Sequence, residues 1–249
     1  MTTNIYSKKN IPMKTVVFAS GSGTNFDKIY ERQKKLEKEN KKNFAKIGLV
    51  FSNNPSSKAI EKAENYGIKT THLSSKKFFE VLNKSPDDSD YRENYDAAVI
   101  SLIEEFTEPD LIVLAGYRRK LSSLLLNRYK NKIINLYPGD TTKNYLVKGK
   151  EAFIQALENG EKTIRCTCYI ENNEEVRFGP AIAQSAEISL EGYYPDNTDE
   201  MSKKIRENGE WLLFPFVLHE LIANGRVDID DKNNVYIDKI KMNKTGMVL

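Results

Sequence analysis

Cysteine, histidine and tryptophan are scarce in this chain: its 249 residues include two cysteines, two histidines and one tryptophan. The cysteines, Cys166 and Cys168, are two positions apart, so on one strand they would point the same way and be poorly placed to pair. A disulfide framework is therefore excluded and a reducing, cytoplasmic setting is expected. Both histidines, His72 and His219, read as structural, and no metal site is expected. Charge of one sign is also missing. The 38 basic residues nearly match 35 acidic ones, leaving a net charge of +3, and Glu is interleaved through the Lys-rich stretches. Such a surface is solvated, and it argues against nucleic-acid binding. Long apolar runs are absent too. Leu111–Ala115 and Trp211–Leu218 fall well short of a membrane span, and Thr15–Ala19, after Lys8 and Lys9, is too short for a signal-peptide core.

What is present is a repeated β-then-α pattern in a chain that is 39% hydrophobic, ample for the core of one α/β domain. Residues 1–12, mostly polar and without a period, read as a loose extension. Thr15–Ala19 reads as a buried strand, and Phe26, Ile29, Tyr30 and Gln33 start a helix that runs into the solvated stretch Lys34–Lys42. Further strands are expected at Ile47–Ser52, Ile68–Leu73, Pro109–Ala115 and Ile133–Tyr137. Helices are expected after Asn53-Asn54-Pro55, ending at Gly67, and over Tyr91–Phe106, with a polar excursion at Ser74–Asp90. Because Pro109–Ala115 is apolar on both faces, the sheet should be mostly parallel with helices on both sides. After Pro138 the pattern changes. A polar connection to Lys150 leads to a helix at Glu151–Glu158, strands near Thr163–Ile170 and Ala181–Leu190, a helix around Ser202–Ala223, and a tail strand at Val235–Met242.

Two segments carry candidate chemistry. Ser20-Gly21-Ser22-Gly23-Thr24-Asn25 joins a buried strand to a helix, as an anion cradle requires. Glycine allows a tight turn and close backbone approach, and helix-start amides with the Ser22, Thr24 and Asn25 side chains can donate to phosphate oxygens. The loop has neither the third glycine of the dinucleotide fingerprint nor the Gly-Lys-Ser/Thr ending of the Walker loop. A plain turn with Thr24 as helix cap is the competing reading. The second segment, Asn135-Leu136-Tyr137-Pro138, ends a strand at the edge where open α/β sheets bind ligands, and an Asn there can donate to a developing oxyanion.

Together with Ala19, Val50-Phe51-Ser52-Asn53, Pro109–Tyr117 with Arg119 and Leu121, Gln155–Gly160 and Gly179-Pro180, these segments occur in the order found in glycinamide ribonucleotide transformylases. From about residue 14 to 228 the chain resembles that formyltransferase superfamily. The resemblance implies a formyltransferase fold over 13–249, with a nucleotide-binding part at 13–115 and a smaller catalytic and C-terminal part at 116–249. It implies formyl transfer from 10-formyltetrahydrofolate to the amine of a small phosphoribosyl substrate in purine synthesis, and leaves a homodimer open. The substrate phosphate and ribose would lie on Gly21, Ser22, Gly23, Thr24, Asn25 and Glu210. Arg92 falls where the family contacts the folate tail, and Gly116, Tyr117, Arg118, Arg119 and Lys120 would border the pterin pocket.

The expected catalytic residues are Asn135, Tyr137 and Arg177, and two of them depart from the family. Tyr137 stands in place of the histidine of Asn-x-His-Pro, and Arg177 in place of the aspartate of Asp-x-Gly-Pro. An ordinary tyrosine, with a pKa near 10, mainly donates a hydrogen bond, and losing a general acid typically removes about 10² to 10⁴ in rate. Glu174 and Glu175 are the nearest replacement carboxylates. These departures keep two other readings open: an IMP cyclohydrolase closing a formamido-imidazole carboxamide ribonucleotide without folate, and a catalytically silent nucleotide-binding module. Sugar-nucleotide formyl transfer is weaker, since those relatives use the same Asn, His and Asp set.

Overall fold

Val16, Val17 and Phe18 are consecutive and all fully buried, although successive side chains on a strand point to opposite faces. Only a strand covered on both sides satisfies this, and the chain builds one. The computed structural model describes residues 1–8, 10–85, 88–143, 145, 151–195 and 198–249. In chain order the first half runs β1 (Thr2–Asn4), β2 (Met13–Phe18), α1 (Thr24–Lys38), β3 (Ala45–Ser52), α2 (Lys58–Asn65), β4 (Lys69–His72), α3 (Ser75–Leu82), α4 (Ser89–Glu104), β5 (Leu111–Leu114), α5 (Ser123–Arg128) and β6 (Ile133–Tyr137). The second half runs α6 (Glu151–Glu158), β7 (Thr163–Ile164), β8 (Thr167–Ile170), β9 (Ala181–Gln184), β10 (Ile188–Ser189), α7 (Thr198–Ile205), α8 (Trp211–Phe216), β11 (Val227–Asp230), β12 (Val235–Ile237), β13 (Ile240–Lys241) and β14 (Met247–Val248).

Among the described residues the main sheet has eight strands in the order β14-β9-β8-β6-β5-β2-β3-β4. Pairing is parallel from β4 through β6 and between β9 and β14, while β8 runs antiparallel to both β6 and β9. From β2 the chain winds outward to β3 and β4, then returns to place β5 on the other side of β2. That reversal opens a crevice beyond the carboxyl ends of β2 and β5, where the fold places ligands. Two apolar cores flank the sheet. One joins Val17, Phe26, Ile29 and Val113 to Phe214, Val217 and Leu218, and the other joins Val16, Phe18 and Ile112 to Tyr95, Val99 and Leu125.

Several expectations change. The start of the expected loose extension is docked: β1 pairs antiparallel with β11, and Ile5 and Tyr6 are buried, because their apolar side chains find cover on the C-terminal strands. The excursion at Ser74–Asp90 contains α3, capped by Ser74, whose hydroxyl accepts from the Lys77 N–H. The helix around Ser202–Ala223 is continuous but widens into π-helical turns at Arg206–Glu210 and Val217–Ile222 on either side of α8, which contains Pro215. The tail expected as one strand folds as the β12–β13 hairpin, within the small sheet β1-β11-β12-β13. Of the connection Thr141–Lys150, residues 144 and 146–150 lie outside the described residues, as does Lys9. No helix among the described residues is long and apolar enough to cross a membrane.

Candidate active site

β2 ends at Phe18, and the loop that follows is held from three sides. The Ser20 hydroxyl donates to Asn53 Oδ1 at 2.6 Å and accepts from the Arg118 N–H at 3.1 Å, tying the ends of β2, β3 and β5 together. The Gly21 carbonyl accepts from the Ser57 hydroxyl at 2.9 Å and from the Ala59 N–H at 3.2 Å. Gly23 has φ of 70°, and a Cβ there would lie 2.9 Å from both Cα and Cβ of Ala59, so conformation and close approach to α2 each demand glycine. Gly23, not Thr24, is the N-cap of α1, and among the described residues no side chain caps it. The first amides of a 15-residue helix therefore face the crevice without a side-chain acceptor, with the positive end of the helix dipole behind them.

The loop meets the end of the first wide turn after α7. Asn25 Nδ2 donates to Glu210 Oε2 at 2.7 Å, across 185 positions of sequence. Burial pushes the Glu210 carboxyl up, opposed by the Asn25 hydrogen bond and by Arg206. Asn25 Oδ1 is buried with no partner among the described residues. Gly209 makes this approach possible, since a Cβ there would lie 2.5 Å from Cys166 Sγ.

Two strands away, Asn135 faces Leu114 of β5 on one side and Tyr169 of β8 on the other. Its amide nitrogen donates to Tyr169 Oη at 2.9 Å and to Glu171 Oε2 at 3.0 Å, and its carbonyl accepts from the Leu136 N–H at 2.8 Å. The amide orientation is fixed by chemistry, because a carboxylate can only accept. Tyr137 lies beside it with its ring 4.5 Å from that of Phe178. A Cβ on Gly139 would lie 2.5 Å from the Tyr137 ring, so the bulky ring fits because residue 139 has no side chain. Burial raises the Tyr137 phenol above its ordinary range, opposed by the charge of Arg177. The Arg177 guanidinium stacks over Phe178 at 4.9 Å and lies 5.9 Å from the Tyr137 ring.

The expected replacement carboxylates do not reach this center. Glu174 Oε1 accepts from Arg92 Nη2 at 2.5 Å, its Oε2 accepts from the Ser123 N–H at 2.6 Å, and Lys120 Nζ stands 3.9 Å away. The buried Arg92 cation draws Glu174 toward α4 and α5, and the Arg92 group expected at the co-substrate tail is thereby engaged within the protein. Glu175 is exposed on the adjoining turn. The residues expected along the second pocket also divide. Tyr117 is buried against Phe18, at 5.2 Å between rings, and Arg119 stacks on Tyr95 at 4.5 Å and Phe79 at 4.8 Å. Both turn into the second core after the positive-φ Gly116, which leaves Arg118 and Lys120 exposed.

Sequence reasoning missed Tyr169 and Glu171. Their i, i+2 spacing puts them on one face of a strand, but only the β6–β8 register aligns that face with Asn135. His72 is exposed at the edge strand. His219 is buried, where Nδ1 accepts from the Ala45 N–H at 3.2 Å and Nε2 lies 3.1 Å from the Ile29 carbonyl. Among the described residues no group of three or more His, Cys, Asp or Glu side chains could hold a metal ion.

The model of the family described as formyl transferase matches residues 13–217. A phosphoribosylglycinamide formyltransferase of Bacillus subtilis is 31% identical over 213 residues, which are 84% of this chain and 95% of that relative. The trifunctional purine biosynthetic protein adenosine-3 of Gallus gallus is 31% identical over 223 residues, 90% of this chain, and the chain spans 20% of that longer protein. The solved phosphoribosylglycinamide formyltransferase of Coxiella burnetii superposes with a TM-score of 0.75 at 25% identity, covering 96% of this chain and 99% of the other.

Proposed function

Because the chain belongs to the formyl transferase family, we propose that it transfers a formyl group from 10-formyltetrahydrofolate to the amine of a phosphoribosyl-glycinamide. The observation that carries this reading is the uncapped N-terminus of α1, presented by a glycine that steric contact makes irreplaceable and joined to a carboxylate through Asn25. An anion of phosphate size accepts from the amides at residues 24–26. Glu210, next to that anion, is suited to accept from ribose hydroxyls, and the vicinal donors of a ribose would replace the Asn25 hydrogen bond.

The folate supplies the formyl group, and its anionic tail matches the exposed cation Arg118, whose N–H meets the Ser20 hydroxyl. Asn135 is placed to donate to the formyl oxygen as negative charge builds on it. Both of its hydrogens are engaged at rest, and the one on neutral Tyr169 Oη is the easier to redirect, because the bond to the Glu171 carboxylate is charge-assisted. Tyr137, with its phenol raised by burial, keeps its proton and acts as a donor. Arg177 contributes fixed positive charge beside it. Donors and a cation suit a developing oxyanion.

Two of the named relatives are phosphoribosylglycinamide formyltransferases, which favors transfer over the ring-closing alternative. The test is direct. Purified protein is incubated with phosphoribosyl-glycinamide and 10-formyltetrahydrofolate, and separately with the formamido-imidazole nucleotide, and both products are followed by mass spectrometry. Formylated glycinamide nucleotide is the expected product, and turnover of the second substrate alone would overturn the reading.

A further inference from the structure

Formyl transfer needs more than oxyanion donors. As the substrate amine adds to the formyl carbon, positive charge develops on its nitrogen while negative charge develops on the oxygen, and the nitrogen must lose a proton. Neither Tyr137, a protonated phenol, nor Arg177, a permanent cation, can take that proton. Glu174 is held by Arg92, the Ser123 amide and Lys120, and Glu175 is exposed on the turn beyond it. One carboxylate is hydrogen-bonded to the formyl-binding amide itself: Glu171, whose Oε2 is 3.0 Å from Asn135 Nδ2.

We propose that Glu171 is the carboxylate of this active center, which pairs with the attacking amine and accepts its proton. The assignment rests on the transformylase reading above and deepens it. A carboxylate 3.0 Å from Asn135 would repel the negative formyl oxygen, so its useful partner is the nitrogen on the other side of the new bond. Asn135 and Glu171 then form a matched pair, an amide for the oxygen and a carboxylate for the nitrogen. Tyr169, buried with its hydroxyl against Asn135, closes the third side, and burial beside the Glu171 charge keeps its phenol raised and protonated. The step balances without another reactant. The amine nitrogen bonds to the formyl carbon, Glu171 takes a proton from that nitrogen, the bond from formyl carbon to N10 of the folate breaks, and the proton passes from Glu171 to N10. The carboxylate is regenerated.

Glu171→Gln is the discriminating variant, since glutamine keeps the shape and an acceptor for Asn135 but cannot bind a proton. Steady-state kinetics should show kcat lower by about 10² to 10⁴ with both KM values within a few-fold, while Glu171→Asp retains more activity and thermal melting shows all three proteins folded. A second readout needs no turnover. Titration calorimetry should show wild type binding the glycinamide nucleotide more tightly than its deamino, acetamide analogue, and Glu171→Gln binding the two alike. Retention of kcat within about threefold in Glu171→Gln, or a wild type without preference for the amine, would overturn the proposal. A wild type that prefers the amine nucleotide but never formylates it would instead overturn the transformylase reading and leave Glu171 as the group that reads the amine. Failure to bind either nucleotide would overturn both.

Discussion

At the scale of single residues, the site depends on side chains that are absent as much as on those present. Gly23 must adopt φ of 70° with Ala59 2.9 Å from where a Cβ would sit. Gly23→Ala is expected to cost about 1–2 kcal/mol for the left-handed backbone alone, more with the clash, and to raise the KM for the phosphoribosyl substrate while leaving the folate KM near wild type. Equal KM values for wild type and variant would remove the cradle from the phosphate. Gly139 plays a related part for Tyr137, since a Cβ there would lie 2.5 Å from the ring. Asn135 differs in kind, since its role lies in a donated hydrogen bond. Asn135→Ala should lower kcat by about 10² to 10³, the range for loss of one oxyanion donor, measured on protein whose melting curve is close to wild type. Unchanged turnover would move the reacting formyl group elsewhere.

At the scale of elements, the ends of the chain decide more than their composition suggests. β1 is three residues long, yet it carries Ile5 and Tyr6 into cover and Asn4 into hydrogen bonds with the Gly225 carbonyl and Asp228. Ile5→Ala should therefore cost about 2–4 kcal/mol, as for other buried large-to-small changes, read as a lower urea midpoint with an unchanged slope. Ile11→Ala, at a position 55% exposed, should stay within about 0.5 kcal/mol. Equal midpoints for both variants would return the segment to a loose extension. The last helix shows a second element-level effect. Phe214, Val217, Leu218 and Leu221 fall at i, i+3, i+4 and i+7 and stay in the core, while Glu210, at the end of the first wide turn, meets Asn25.

At the scale of the whole molecule, His219 links α1, β3 and the last helix through its two ring nitrogens. Burial lowers its pKa to about 4 from an ordinary 6.5, opposed by the Ile29 hydrogen bond. The folded state therefore resists protonation that the unfolded chain accepts. This stability is fully present above pH 6.5 and is lost as pH falls toward 4, and a shift of this size corresponds to about 3 kcal/mol. Urea titrations at pH 7.5 and 4.5 should show that loss. His219→Gln, with an acceptor and a donor but no titration, should flatten the pH dependence, and an equally steep profile in the variant would remove His219 as its cause.

Local pattern made much of this legible without coordinates. The apolar runs at Thr15–Ala19 and Pro109–Ala115 specify strands buried on both faces, and two glycines between a strand and a helix specify a cradle, because backbone conformation and solvent exclusion act over a few residues. The chemistry of Tyr137 and Arg177 was also readable, since a phenol keeps its proton near neutral pH and a guanidinium holds a fixed charge. Tertiary structure alone decided what stands opposite them. The β6–β8 register brought Glu171 to Asn135, and the buried Arg92 charge took Glu174 away. Each is a contact between residues distant in sequence, set by strand pairing and charge burial, which no local period encodes.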